Sequence, residues 1–198
     1  MRNEDISLRT KRKLAEKLKE LMRKKPFEKI TVSELIRDCE INRKTFYYHF
    51  DDIYDLLKWT FEEEAIAVVK NYDLKSDSKE VINFVLDYCE ENRFLLINAC
   101  DSVGRDSFRR FFYNDFYDIG LSIISQAERE SGKSVDEGYR SFLCSFYVEA
   151  ISGILYSWIK SNGKGFSRSE VVSYISSTIS NSLKGIMEEY KVFPRQVI

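Results

Sequence analysis

Residues 30–50 carry two helix starts of the same design, and their spacing leaves few folds open. Thr31 is followed three residues later by Glu34, the pattern of a capping box, and Ile30 and Leu35 stand at the positions of a hydrophobic staple. Eleven residues on, the device recurs: Asn42 is a good N-cap, and Ile41 and Phe46 hold the staple positions. Two stapled starts this close predict short helices over 31–40 and 42–50 joined by a tight turn, a helix-turn-helix. Phe46 and Phe50, one turn apart, give the second helix an apolar face. Arg43, Lys44, Thr45, Tyr47, Tyr48 and His49 are left to point outward.

The rest of the chain reads as helix too. Two prolines and eight glycines in 198 residues leave few breaks, which argues against a sandwich or barrel with many tight turns. Leu14, Leu18, Leu21 and Met22 line one side of a first helix over 8–25, which Lys24-Lys25-Pro26 ends. Asp51-Asp52 caps a long helix over 53–72, with Leu57, Phe61, Ala65, Val68 and Tyr72 as its inward stripe. After a polar loop at 73–79, helices are expected near 79–91, 93–101, 105–131, 136–161 and 168–190. The expectation is an all-α chain of about nine helices. A three-helix head over 1–52 is followed by a helical domain over 53–198.

Charge divides the chain at the same place. Residues 1–50 hold 14 Lys and Arg against 8 Asp and Glu, whereas 51–198 hold 17 against 24. A basic head on an acidic body is the asymmetry of a protein that meets a polyanion at one end. Cys39, Cys89, Cys100 and Cys144 are scattered with no CxxC pair and read as small buried hydrophobes of a reducing compartment. His49 is the only histidine, so neither a zinc site nor a histidine-based catalytic pair is expected. No GxSxG, HExxH or phosphate-binding glycine loop occurs, which weighs against an enzyme. The N-terminus shows no signal peptide. The apolar run 141–159 contains Glu149 and several serines and reads as a buried helix rather than a membrane span.

The last two helices are apolar on more than one side. Along 141–159 two rows appear, Phe142, Phe146, Ala150, Ile154, Trp158 and Leu143, Tyr147, Ile151, Leu155, Ile159. From Val171 to Leu183 there is no charge, and Ile175, Ile179 and Leu183 share a face. Helices of this kind need cover on two sides. A homodimer joined through a four-helix bundle, with Phe146, Ile154, Trp158, Ile175, Ile179 and Leu183 at the interface, would supply it.

The stretch from Ile30 to Leu57 closely resembles the TetR family signature: Thr31-Val32 opening the second helix, Tyr47-Tyr48-His49-Phe50 closing the third, and Leu56-Leu57 in the fourth. Two positions depart from the pattern. Cys39-Glu40 stands where the family usually has Ala-Gly, and Ile53 stands where it often has Lys. A left-handed Glu40 would cost roughly 1–2 kcal/mol. The resemblance implies a cytoplasmic regulator that binds a palindromic operator as a homodimer and, as a repressor, leaves it when a small-molecule effector binds. The alternative is an activator, or a protein-interaction module, that uses the fold without such a ligand. No cofactor, metal or membrane partner is implied.

The roles follow from groove geometry. Arg43 or Lys44 can reach guanine O6 and N7, and Thr45 can donate to a base or lay its methyl on thymine. Tyr47, Tyr48 and His49, a turn later, suit phosphate oxygens, as do Thr31 and Ser33 at a helix N-terminus. Lys29 and the Arg9, Lys11, Arg12, Lys13 cluster add general attraction or a solvated face. For the effector, Arg109, Phe112 and Phe116 from one helix and Tyr147 and Glu149 from the next are the candidate contacts.

Overall fold

The computed structural model describes residues 3–71 and 78–189, except the side chains of residues 3, 4, 78, 105–109, 111, 112 and 115. Among these residues all regular structure is helical. In order, the helices are α1 (Asn3–Met22), α2 (Val32–Asp38), α3 (Arg43–His49), α4 (Ile53–Phe61), α5 (Ala67–Lys70), α6 (Ser78–Glu91), α7 (Arg93–Val103), α8 (Arg105–Ser131), α9 (Glu137–Ser161) and α10 (Arg168–Glu189). A 3₁₀ turn, Phe27–Lys29, precedes α2, and a π turn, Glu62–Ile66, joins α4 to α5. The described residues form two compact units. One is the chain up to Asn71 with Tyr88–Phe112, and the other is built from Tyr72–Asp87 and the chain from Tyr113 onward.

The first unit is organised by its caps. Thr31 accepts a hydrogen bond from the Glu34 backbone N–H, Asn42 from that of Thr45, and Asp52 from those of Tyr54 and Asp55. The capping box at Thr31 is completed on one side only. The Glu34 carboxylate turns instead to Lys25 Nζ at 2.5 Å, because that cation at the end of α1 is the stronger donor. Leu14, Leu18, Met22, Leu35, Phe46 and Leu56 are fully buried and pack the three N-terminal helices around one core. α1 begins at Asn3, a turn and more before the periodicity predicts, with Asp5 near its start, where negative charge suits the macrodipole.

The turn between α2 and α3 is a Schellman motif. Ile41 N–H bonds Ile36 C=O, and Glu40 N–H bonds Arg37 C=O. That pattern requires a left-handed residue between them, and Glu40 has φ +54°. A Cβ is disfavoured there, so Glu40→Gly should raise stability by about 1 kcal/mol. For a chain of this size that is a gain of about 3 °C in thermal melting, and an unchanged or lower Tm would contradict it.

The inward stripe of the fourth helix is corrected by the π turn. Leu57 and Phe61 are buried as expected, but beyond them Ile66 and Val69 are the buried residues, while Ala65 and Val68 are half-buried. Ala67 N–H bonds Glu62 C=O, five residues back, so one extra residue is taken up and the face behind it rotates. Tyr72 lies outside the described residues. Each acid of the turn meets a base: Glu62 with Lys58, Glu63 with Arg12, and Glu64 with Lys19. Glu64 also accepts from the Tyr88 hydroxyl at 3.0 Å.

The second unit holds Ile124, Leu143, Cys144, Tyr147, Leu183 and Met187 in its core. Glu128, nearly buried, clasps the α8–α9 corner. It accepts the Val135 N–H at 3.0 Å and the Arg140 guanidinium at 2.5 Å. The run 141–159 is less covered than a core helix would be. Over its most apolar window α9 is 28% buried by its own chain, and by length and composition it could cross a membrane.

Candidate nucleic-acid interface

α3 presents a polar and aromatic outer face on a buried hydrophobic one. Phe46 and Phe50 are sunk in the core. Arg43, Lys44, Tyr47 and Tyr48 are exposed, Tyr48 at 80% the most exposed large hydrophobic side chain described. Thr45 and His49 are half-buried on the flank. Thr31 and Ser33, the expected phosphate contacts at the start of α2, are exposed as well, and so is Lys29, expected to add general attraction. All nine expected DNA-contact residues therefore lie in the first unit, and none is fully buried.

Several of these side chains already have partners. The Arg43 guanidinium lies 5.7 Å from the Tyr47 ring centre, and its Nη2 is 3.4 Å from the Tyr47 hydroxyl. One N–H of the guanidinium is thus given to the Tyr47 hydroxyl, and its other donors are left for a base edge or phosphate. His49 Nδ1 lies 3.5 Å from the Ser7 hydroxyl. Partial burial, with the Lys11 charge behind it, lowers the His49 pKa below its usual value. At neutral pH His49 thus offers a neutral imidazole rather than a cation, fit to donate one hydrogen bond.

The basic cluster of α1 is mostly engaged within the protein. Lys11 sits 5.4 Å over both Phe50 and Trp59, Arg12 pairs with Glu63 at 2.6 Å, and Lys13 donates to Cys39 C=O at 2.7 Å. Lys13 thereby neutralises the C-terminal carbonyls of α2, and Lys11 closes the aromatic base of α3. These are fixtures of the head first, and the spread of basic residues alone could not separate them from a DNA-facing patch. Asn98 of α7 was also missed. Its amide donates to Met22 C=O (2.7 Å) and Lys25 C=O (2.9 Å) and accepts from Phe27 N–H (2.8 Å). It thus closes the open end of α1. The one sequence signal was a polar residue inside the apolar run Phe94–Cys100.

Among the expected effector contacts that are described, Tyr147 and Glu149 lie on different faces of α9. The side chains of Arg109 and Phe112 lie outside the described residues. Phe116 is half-buried on α8. Tyr147 is buried with its hydroxyl 2.8 Å from that of Ser182, and burial raises its pKa. Glu149, two residues on and so on the other side of α9, is exposed. Of the expected interface residues, Trp158, Ile175 and Leu183 are covered by their own chain, Ile179 is half-buried, and Phe146 and Ile154 are exposed. Phe142 joins these two. It stacks on Phe146 at 6.2 Å and on Tyr139 at 6.1 Å.

Residues 14–58 match the family described as "Bacterial regulatory proteins, tetR family", and residues 76–181 match "Transcriptional regulator C-terminal region". The chain belongs to the TetR family. It is a DNA-binding transcriptional regulator, with the helix-turn-helix at its N-terminus and a helical C-terminal region. Among its relatives is the "HTH-type dhaKLM operon transcriptional activator DhaS" of Lactococcus lactis subsp. lactis (strain IL1403). The two are 27% identical over 175 residues, 87% of this chain and 92% of that protein. A solved structure named "Dihydroxyacetone kinase operon activator DhaS" shares the fold, with a TM-score of 0.67 and 24% identity over 88% of this chain and 96% of that one.

Proposed function

We propose that this TetR-family regulator recognises a palindromic operator as a homodimer, with α3 of each copy in the major groove. The observation that carries the reading is the outer face of α3, where basic, hydroxyl and aromatic side chains stand exposed on a helix anchored by Phe46 and Phe50. Arg43, Lys44 and Thr45 at its N-terminal end reach base edges. Tyr47, Tyr48 and His49, with Lys29, Thr31 and Ser33, hold the phosphate backbone. The DNA-binding head spans 1–52, and the remainder serves dimerisation and control, in the cytoplasm and without a membrane partner.

Dimerisation has its own support. Phe142, Phe146 and Ile154 form an uncovered apolar row on α9, and the outer side of α10 carries Ser173, Tyr174, Ser177, Thr178 and Asn181. An uncovered apolar row on one helix beside an uncharged face on the next suits packing against a second copy. Effector control through the C-terminal domain rests on the family. The Lactococcus relative is named an activator, which supports activation as a second reading beside the repression usual in the family. A reporter driven by the bound promoter separates the two.

The test is a Lys44→Ala/Tyr47→Ala double variant, measured by mobility shift on the DNA flanking the gene over a salt series. Affinity should fall on the order of 100-fold with the helical fold intact, and the salt slope should flatten by at most about 1, since Lys44 is the one charge removed. Unchanged binding would reject the assignment of α3.

A further inference from the structure

Thr45 is committed before DNA arrives. Asn42 Oδ1, the N-cap of α3, accepts both the Thr45 backbone N–H at 2.7 Å and the Thr45 hydroxyl at 3.0 Å. A hydroxyl has one proton to give, and here the cap takes it. The carboxamide oxygen cannot be exchanged for the nitrogen, because the backbone N–H requires an acceptor at that place. The hydrogen bond also fixes χ1 of a β-branched residue that has few rotamers to begin with. With its proton given to the cap, the hydroxyl can only accept, and the γ-methyl is the side chain's other contact group. Thr45 stands on the flank of α3 opposite Arg43, two residues and about 200° away around the helix. Arg43 is in turn held by Tyr47.

Building on the DNA-binding reading above, we infer that Thr45 is a specificity residue that reads thymine through its 5-methyl group, not a hydrogen-bond donor to a base. In the major groove the thymine methyl is the one apolar mark, and a threonine methyl is a suitable partner for it. Each operator half-site then carries a thymine opposite Thr45, and its recognition is insensitive to loss of the hydroxyl.

The probe is a duplex selected from a randomised pool with the full-length protein. Thymines are replaced one at a time by uracil, which removes only the methyl group. One thymine per half-site should be sensitive, with affinity falling about three- to tenfold. Thr45→Ser, which keeps the hydroxyl and loses the methyl, should bind the unmodified duplex with the same loss and show no further loss on the uracil duplex. Thr45→Val, which keeps the methyl, should bind within about twofold of wild type. Melting curves of both variants check that the cap, still served by the residue-45 N–H, holds. Equal weakening in Val and Ser, or uracil tolerated at every thymine, overturns the inference and leaves the operator reading standing. A pool from which no sequence is enriched overturns both.

Discussion

Asn98→Leu is expected to cost about 3 kcal/mol of stability, a fall on the order of 10 °C in Tm. The side chain is of similar size, so packing is nearly conserved, and the loss comes from three backbone groups. Met22 C=O and Lys25 C=O are the open carbonyls at the end of α1, and Phe27 N–H begins the turn that leads to α2. None of the three keeps its partner, and leaving a partly buried polar group unmet costs about 1–3 kcal/mol. Asn98→Asp should not rescue the protein, because a carboxylate can serve Phe27 N–H but has no hydrogen for the two carbonyls and repels them. The effect should extend to DNA affinity, since the α1–α2 turn sets where the helix-turn-helix begins. A melting temperature that stays at the wild-type value would show that water replaces the amide at no cost.

Glu128→Leu is the second large effect, a loss of about 1–3 kcal/mol. Glu128 is 9% exposed and bonds both Val135 N–H and Arg140. Its removal leaves a guanidinium whose Nε already lacks a partner without its counter-charge. The Arg140 side chain is 34% exposed, so water meets part of the surviving charge, and most of the loss comes from the buried Val135 N–H and from the counter-charge of Arg140. The double replacement Glu128→Leu/Arg140→Leu should recover only the part of the loss that comes from the unpaired charge, read by chemical denaturation. If the double variant is as unstable as the sum of the singles, the pair is not the cause, and the Val135 N–H must be.

Local signals in the chain were enough for the helices and for the face of α3. Caps at Thr31, Asn42 and Asp52 are written in neighbouring residues, and Phe46 and Phe50 mark the buried side without reference to anything distant. The left-handed Glu40 was legible because it stands where the family usually has glycine, the residue that takes this conformation without strain. What was not legible depends on partners far along the chain. Lys11, Arg12 and Lys13 look alike in sequence, yet they meet two aromatic rings, a carboxylate and a carbonyl, all from other elements. Asn98 finds its three partners more than seventy residues away. Trp158 shares its row with Phe146 and Ile154, yet it is buried and they are exposed, and only tertiary packing decides which part of a row is covered from within. Helical period locates a stripe; it does not say what lies against it.

The π turn at Glu62–Ile66 also bears on how this chain can change its length. An inserted residue in a helix ordinarily turns everything behind it by about 100°, so that the apolar side meets water. Here the added residue is absorbed within a single loop of backbone, and its three glutamates tie that loop to Lys58, Arg12 and Lys19. A sequence shorter by one residue between Phe61 and Ile66 would form an unbroken α-helix and still bring the equivalents of Ile66 and Val69 to the inside. One-residue length differences among related chains should thus collect at this point of the connector, where loss of the extra residue leaves the hydrophobic frame on both sides in phase.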